Sequence, residues 1–230
     1  MNARFAFWAA ALLLLAALPA SAQSRSERRL DIGAKAGTTL SRIQFNPNVP
    51  QTMLPGITAG ITVRYAEEKH FGLIAELSLT QRGWKETFDA EYDMRYQRRL
   101  TYLELPLLTH ICFGSQRVKG FFNAGPQVGF LLSSAIKSNF DYEQAASDPD
   151  FPIENRSTAQ FALPVKNRFD YGICAGLGME VRLQGRSNIA LEGRFYYGMR
   201  DLFANHRSDP FAGSSAMTVA VTLAYNYRLR

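Results

Sequence analysis

From Leu30 onward, bulky apolar side chains alternate with small or polar ones at a period of two. The segment Ser215–Leu229 shows this most clearly, with Met217, Val219 and Leu223 among its odd positions and mainly small or polar residues at the even ones. Successive side chains of a β-strand point to opposite faces. The pattern therefore predicts a strand that lies between an apolar medium and a polar one.

The same alternation recurs along the chain and predicts eight strands. The predicted strands are Leu30–Thr39, Pro55–Tyr65, Phe71–Trp84, Arg98–Phe113, Gly120–Ser134, Arg168–Leu183, Asn188–Arg200 and Ser215–Leu229.

Short and long connections alternate between these strands. The short ones are residues 66–70, 114–119 and 184–187, and the long ones begin at Leu40, Lys85, Ala135 and Asp201. In an up-and-down barrel, all the short turns then lie at one end and all the long loops at the other. The sequence therefore predicts an all-β, eight-stranded antiparallel up-and-down transmembrane β-barrel with short periplasmic turns and long extracellular loops.

A soluble lipocalin-like barrel would turn its apolar face inward, whereas a membrane barrel turns it outward. Glycine-rich polar faces favour the membrane arrangement, because small residues let large neighbours fit inside a narrow barrel. Aromatic residues near the strand ends of the apolar face resemble interfacial girdles. These are Tyr65, Phe71, Phe113, Phe169, Tyr171, Tyr225 and Tyr227.

The polar face then lines the lumen. Because buried charges persist only when they are paired, we expect a charge network that plugs the interior. Its predicted members are Lys35, Arg64, Glu76, Arg82, Glu104, His110, Glu180, Arg182, Glu192 and Arg194; Asp170 and Arg228 share this face. The two cysteines, Cys112 and Cys174, are expected to be buried free thiols. Neither a metal site nor a cofactor is predicted.

The N-terminal residues 1–22 have the three parts of a secretory signal peptide. Arg4 supplies the charge, Phe5–Leu18 is an unbroken apolar run, and Ala20-Ser21-Ala22 is a small-residue cleavage site. The run is too short to span a bilayer comfortably as a helix, which needs roughly 20 residues. We therefore expect cleavage after residue 22, a barrel domain over residues 23–230, and localisation in the outer membrane of a Gram-negative cell.

The chain contains 26 Lys and Arg residues against 20 Asp and Glu residues. Such a modest basic excess suits anionic lipid and lipopolysaccharide. No basic cluster has nucleic-acid character, and no nucleic-acid partner is expected.

Several segments carry a resemblance to a known family. Tyr102–Leu108, which reads YLELPLL, and Gly120–Gly129 resemble two consecutive strands of the PorT-type outer-membrane β-barrel family of Bacteroidetes, while Gly33–Gly37 and Glu76–Gly83 are similar to its first and third strands. Prolines in the family at the places of Pro106 and Pro126 imply local bulges or kinks. For one branch, the resemblance implies a link to type IX protein secretion.

The sequence leaves four functional hypotheses. The first is a non-enzymatic structural or interaction barrel, in which the acidic and aromatic segment 135–167 binds a protein, a glycan or lipopolysaccharide, and its deletion would leave folding intact. The others are an accessory role in secretion, a narrow pore, and a lipid-modifying enzyme centred on His110. The enzyme is disfavoured because no G-x-S-x-G, H-E-x-x-H or glycine-rich phosphate loop occurs.

Overall fold

The computed structural model describes residues 29–66, 70–88, 93–115, 117–147, 158–203 and 210–229. Its strands are β1 (Arg29–Asn46), β2 (Gln51–Thr52), β3 (Leu54–Ala66), β4 (Phe71–Glu86), β5 (Tyr96–Gly114), β6 (Val118–Ser138), β7 (Phe169–Arg182), β8 (Ser187–Gly198) and β9 (Gly213–Arg228). A short helix, α1 (Tyr142–Ser147), and a 3₁₀ turn, Ala159–Phe161, lie between β6 and β7.

The eight long strands form a closed antiparallel ring. Each long strand pairs with the next long strand along the chain, including β4 with β5. The pairing of β1 with β9 closes the ring, so no long strand has a free edge. The two-residue β2 pairs only with the end of β4. Closure matters in a bilayer, because lipid offers no hydrogen bonds to an unpaired backbone. The predicted eight-stranded antiparallel barrel is confirmed.

The outer surface carries the apolar side chains and the lumen carries the polar ones. Leu107 and Leu223 are 51% and 56% exposed, whereas Glu76 and Arg194 are buried. Glycines fit where neighbouring strands approach closely: a Cβ on Gly37 would lie 2.0 Å from the backbone oxygen of Val221. The predicted aromatic girdle residues are all exposed on the outer surface. As predicted, Cys112 and Cys174 are buried thiols that are not joined in a disulfide.

Several strands continue farther at the extracellular end than the sequence predicts. The predicted first strand ends at Thr39, but β1 runs to Asn46 and stays paired with β9 throughout. Beyond Leu40 the polarity inverts, since Ile43 and Phe45 point inward and are buried while the outer positions are polar. A rule that places apolar residues outside fails once a strand has left the bilayer.

The two mid-strand prolines lie near interruptions in the sheet. Pro106 has no paired residue on β4, and the pairing between β5 and β6 skips from Pro106 to Thr109, opposite Gly125 and Pro126. A register shift occurs separately, between Thr101 and Tyr102. Proline cannot donate to the ladder, so these sites interrupt the pairing without ending the strands.

No helix in the described ranges is long and apolar enough to cross a membrane. The predicted signal peptide, residues 1–22, lies outside the described residues.

Candidate functional site

The middle of the lumen holds four charged side chains. Arg194 donates to Glu76 Oε2 at 2.6 Å and Oε1 at 2.9 Å, and to Glu192 at 2.8 and 3.0 Å. Lys35 also donates to Glu76. Two cations therefore face two carboxylates, and charge is balanced where the barrel is narrow and buried.

A second set of ion pairs lies toward the periplasmic end. Arg64 donates to Asp31 at 2.6 and 3.0 Å and also to Glu180. Asp31 belongs to β1 and Glu180 to β7, so Arg64 joins strands that are not neighbours in the ring. One guanidinium with several donors can bridge two carboxylates in this way.

The third set lies toward the extracellular end and is centred on Arg82, whose side chain is fully buried. Its Nη2 lies 2.7 Å from Asp170 and its Nε 3.6 Å from Glu104. The guanidinium carbon lies 3.8 Å from the ring centre of Tyr102 and 4.9 Å from that of Tyr196. Aromatic faces stabilise a cation where water is excluded.

Nine of the ten predicted network residues point into the lumen: seven are buried, and the side chains of Arg64 and Glu180 are 11% and 12% exposed. Arg182 is different, because β7 ends there and its side chain is exposed where the barrel opens. Its placement in the network is therefore corrected. The predicted network omits Asp31, although Asp31 lies within the predicted first strand, Leu30–Thr39, and on the same face as Lys35. The sequence predicts that Asp170 lies on the inner face, but the predicted network does not include it.

Only small spaces remain between these side chains. Among the described residues, the lumen contains cavities of about 30 and 40 Å³. Each has room for a few waters at most.

His110, the residue proposed for enzyme chemistry, belongs to this network. Its Nδ1 donates to the Asn123 side-chain oxygen at 2.7 Å, and Asn123 donates to Glu192 at 3.0 Å. The imidazole packs against Phe121 inside the barrel, on the opposite side of the wall from the lipid. This geometry explains His110 as a hydrogen-bonded lumen residue.

Above the bilayer, aromatic side chains close the barrel and form an extracellular cap. Phe45 packs against Trp84 and Phe211 at ring distances of 5.3 and 5.1 Å, and Tyr96 packs against Phe161 at 4.8 Å. Burial raises the pKa of Tyr96, so its phenol keeps the proton that it donates to the Phe161 carbonyl at 3.0 Å.

The long β6–β7 connection contributes to this cap. Phe161 is fully buried, Tyr142 packs against the core, and Arg98 donates to the Leu163 carbonyl at 2.6 Å. Deleting segment 135–167 would therefore expose the aromatic cap, contrary to the expectation that folding would be unaffected. Four further residues of the predicted binding segment, Asp148, Asp150, Phe151 and Glu154, lie outside the described residues.

The outer surface of the extended strands carries a basic outer patch, formed by Lys85, Arg95, Arg99 and Lys137. Lys85 is paired with Gln97, which is paired in turn with Lys137, so these side chains are neighbours across three strands. Together with Arg95, they line a surface cleft of about 300 Å³. Along β5, Arg99 lies four residues from Leu103 on the extracellular side, a distance of about 13 Å.

A comparison with curated proteins finds no match. Solved structures similar to this chain include Neisserial surface protein A (9% identity, TM-score 0.45, covering 86% of this chain and 96% of that chain), OprG of Pseudomonas aeruginosa (11%, 0.48, 90% and 99%) and Ail, the attachment invasion locus protein of Yersinia pestis (12%, 0.41, 86% and 99%). The family model for an outer membrane protein beta-barrel domain matches residues 21–204. The lipid-facing apolar surface, the closed ring and this match together show that the chain belongs to the outer membrane protein beta-barrel domain family.

Proposed function

We propose that this outer-membrane barrel is a non-enzymatic, non-conducting interaction protein that binds lipopolysaccharide through its basic outer patch. It is exported with a signal peptide that is cleaved after residue 22. The observation that carries the proposal is the change of the outer surface from apolar to basic as β4, β5 and β6 leave the bilayer.

The position of the patch favours lipopolysaccharide over a soluble ligand. Leu103 lies at the upper margin of the apolar surface of β5, and Gln97, Arg99 and Thr101 follow on the same face. The phosphates of lipopolysaccharide lie just outside the hydrocarbon region, within reach of long basic side chains from this position. Lysine and arginine bind phosphate through charge-assisted hydrogen bonds.

The lumen supports a non-conducting role. Ion pairs occupy its periplasmic, middle and extracellular levels, and the extracellular cap covers them. An eight-stranded barrel has an interior just wide enough for side chains to fill. Planar-bilayer recordings of the mature protein should show no stepwise conductance; regular unitary currents would contradict this part of the proposal.

The lipopolysaccharide test uses a variant with Lys85→Gln, Arg99→Gln and Lys137→Gln. The mature barrel in zwitterionic nanodiscs should bind immobilised lipopolysaccharide, and this variant should bind about tenfold or more weakly because three phosphate contacts are lost. Heat-modifiability on electrophoresis would verify that the variant folds.

A matched control removes the same number of exposed cations from positions outside the patch, by Arg42→Gln, Lys166→Gln and Arg200→Gln. This control should bind lipopolysaccharide like the parent protein. Equal binding by the outer-patch variant and the parent would refute the proposed role of the patch.

The resemblance to PorT-type barrels motivates a second role, as an accessory component of protein secretion. A strain lacking the gene should then retain secreted proteins in the periplasm. Normal levels of secreted protein in that strain would dispose of this role without affecting the lipopolysaccharide proposal.

A further inference from the structure

The periplasmic mouth of the barrel opens into a vestibule of about 450 Å³. This volume is in the usual range for small-ligand sites, which is about 300–1,000 Å³. Its lining includes Arg117, Lys119, Glu180, Arg182 and Arg228.

Both carboxylates near the floor of the vestibule are already engaged. Arg64 binds Asp31 and Glu180, and the Arg228 Nε lies a further 3.6 Å from Asp31. Neither acid is therefore free to neutralise the rim.

The rim itself carries Arg117, Lys119 and Arg182, which come from two paired strand ends. Lys119 lies beside Glu180 in the ladder, and the Arg182 backbone N–H donates to the Arg117 carbonyl at 2.9 Å. Among the described residues, these three side chains form no ion pair. Three neighbouring cations that have no counter-charge in the described part of the chain form a site for an anion.

The chemistry and the position of the site favour phosphate. Guanidinium groups match phosphate oxygens with paired donors, and a cavity with low-dielectric walls strengthens the attraction. The exposed outer side chains of Tyr65 and Phe113 mark the membrane interface at this end. The vestibule therefore opens at the level of the phospholipid headgroups of the inner leaflet.

We infer that the periplasmic vestibule is a phosphate-binding site formed by Arg117, Lys119 and Arg182. Its ligand is a phosphate group, presented either by an inner-leaflet phospholipid headgroup or by a soluble phosphate compound of the periplasm. This site is independent of the basic outer patch, which lies at the other end of the barrel.

The first measurement is calorimetric titration of the mature barrel, in zwitterionic nanodiscs, with inorganic pyrophosphate. Binding should be measurable at low salt and weaken as the salt concentration rises. The variant carrying Arg117→Gln, Lys119→Gln and Arg182→Gln should lose about tenfold or more in affinity. The variant carrying Arg42→Gln, Lys166→Gln and Arg200→Gln removes equal charge from exposed positions outside both proposed sites and should bind pyrophosphate like the parent.

A second measurement separates the two sources of phosphate. The barrel is placed in detergent with phosphatidylglycerol, and bound lipid is counted by native mass spectrometry with and without pyrophosphate. Lipid retained by the parent, lost from the vestibule variant and displaced by pyrophosphate would identify a lipid headgroup as the ligand. Pyrophosphate binding without retained lipid would identify a soluble phosphate compound. If the parent does not bind pyrophosphate, or both variants weaken binding equally, the inference is wrong.

Discussion

Replacing Glu76 by glutamine tests whether charge balance in the middle of the lumen holds the barrel together. Glu76 is 4% exposed and accepts hydrogen bonds from Lys35 and from two nitrogens of Arg194. Glu76→Gln keeps the shape of the side chain but leaves two buried cations with a single carboxylate, Glu192. Breaking a buried ion pair from one side costs about 3–5 kcal/mol. We expect the free energy of unfolding to fall by that amount.

A second substitution restores the balance. Lys35→Met has a similar volume and removes the excess cation, so the double variant should recover at least about 2 kcal/mol relative to Glu76→Gln alone. Lys85→Met, which removes an exposed lysine, should not rescue Glu76→Gln.

Urea unfolding in lipid vesicles measures these differences. Trp84 is the only tryptophan beyond the predicted signal peptide, and it is fully buried in the extracellular cap, so its fluorescence reports unfolding. A double variant no more stable than Glu76→Gln would show that charge balance is not the source of the effect.

Three further predictions concern close packing, the cap and the lipid-facing surface. Gly37→Ala should destabilise the barrel by about 1–3 kcal/mol, because its Cβ would lie 2.0 Å from a backbone oxygen of β9. Gly193→Ala should be tolerated in the same urea assay, because the nearest atom to its Cβ is 4.0 Å away. Tyr96→Phe leaves a buried carbonyl without its 3.0 Å donor, so it should cost about 1–3 kcal/mol and speed proteolysis of the β6–β7 connection; unchanged cleavage would contradict this. Leu107→Arg should cost about 2–4 kcal/mol in lipid vesicles, whereas Gln97→Arg, above the bilayer, should cost less than about 1 kcal/mol. Equal costs for these two would refute the assigned depth.

Much of the membrane-spanning part of the fold could be predicted from the sequence. In each spanning strand, alternate side chains face lipid and lumen, so a period of two reports both the strand and its orientation. The alternation along each strand predicts that Lys35, Glu76 and Arg194 face the lumen, and the structure places all three there. The alternation within one strand is enough for this prediction, which does not depend on which strands are neighbours.

The strand ends above the bilayer could not be found by the same rule. Around Ile43 and Phe45 the outer side chains contact water, and the interior becomes the apolar side. The apolar and polar positions exchange faces there, so the pattern that marks a membrane strand disappears although the strand continues.

The sequence by itself determined the number of long strands, their alternation and the residues that face the lumen, because each of these depends on local geometry. The tertiary structure decided which charges pair and where the lumen ends. Arg64 binds Asp31 and Glu180, although Asp31 is 33 residues away in sequence and Glu180 is 116 residues away. Such contacts depend on how far the strands are staggered and tilted when the ring closes, and that stagger brings distant residues to one depth. The same closure leaves Arg182 outside the ion pairs of the lumen and places it at the rim of the periplasmic vestibule.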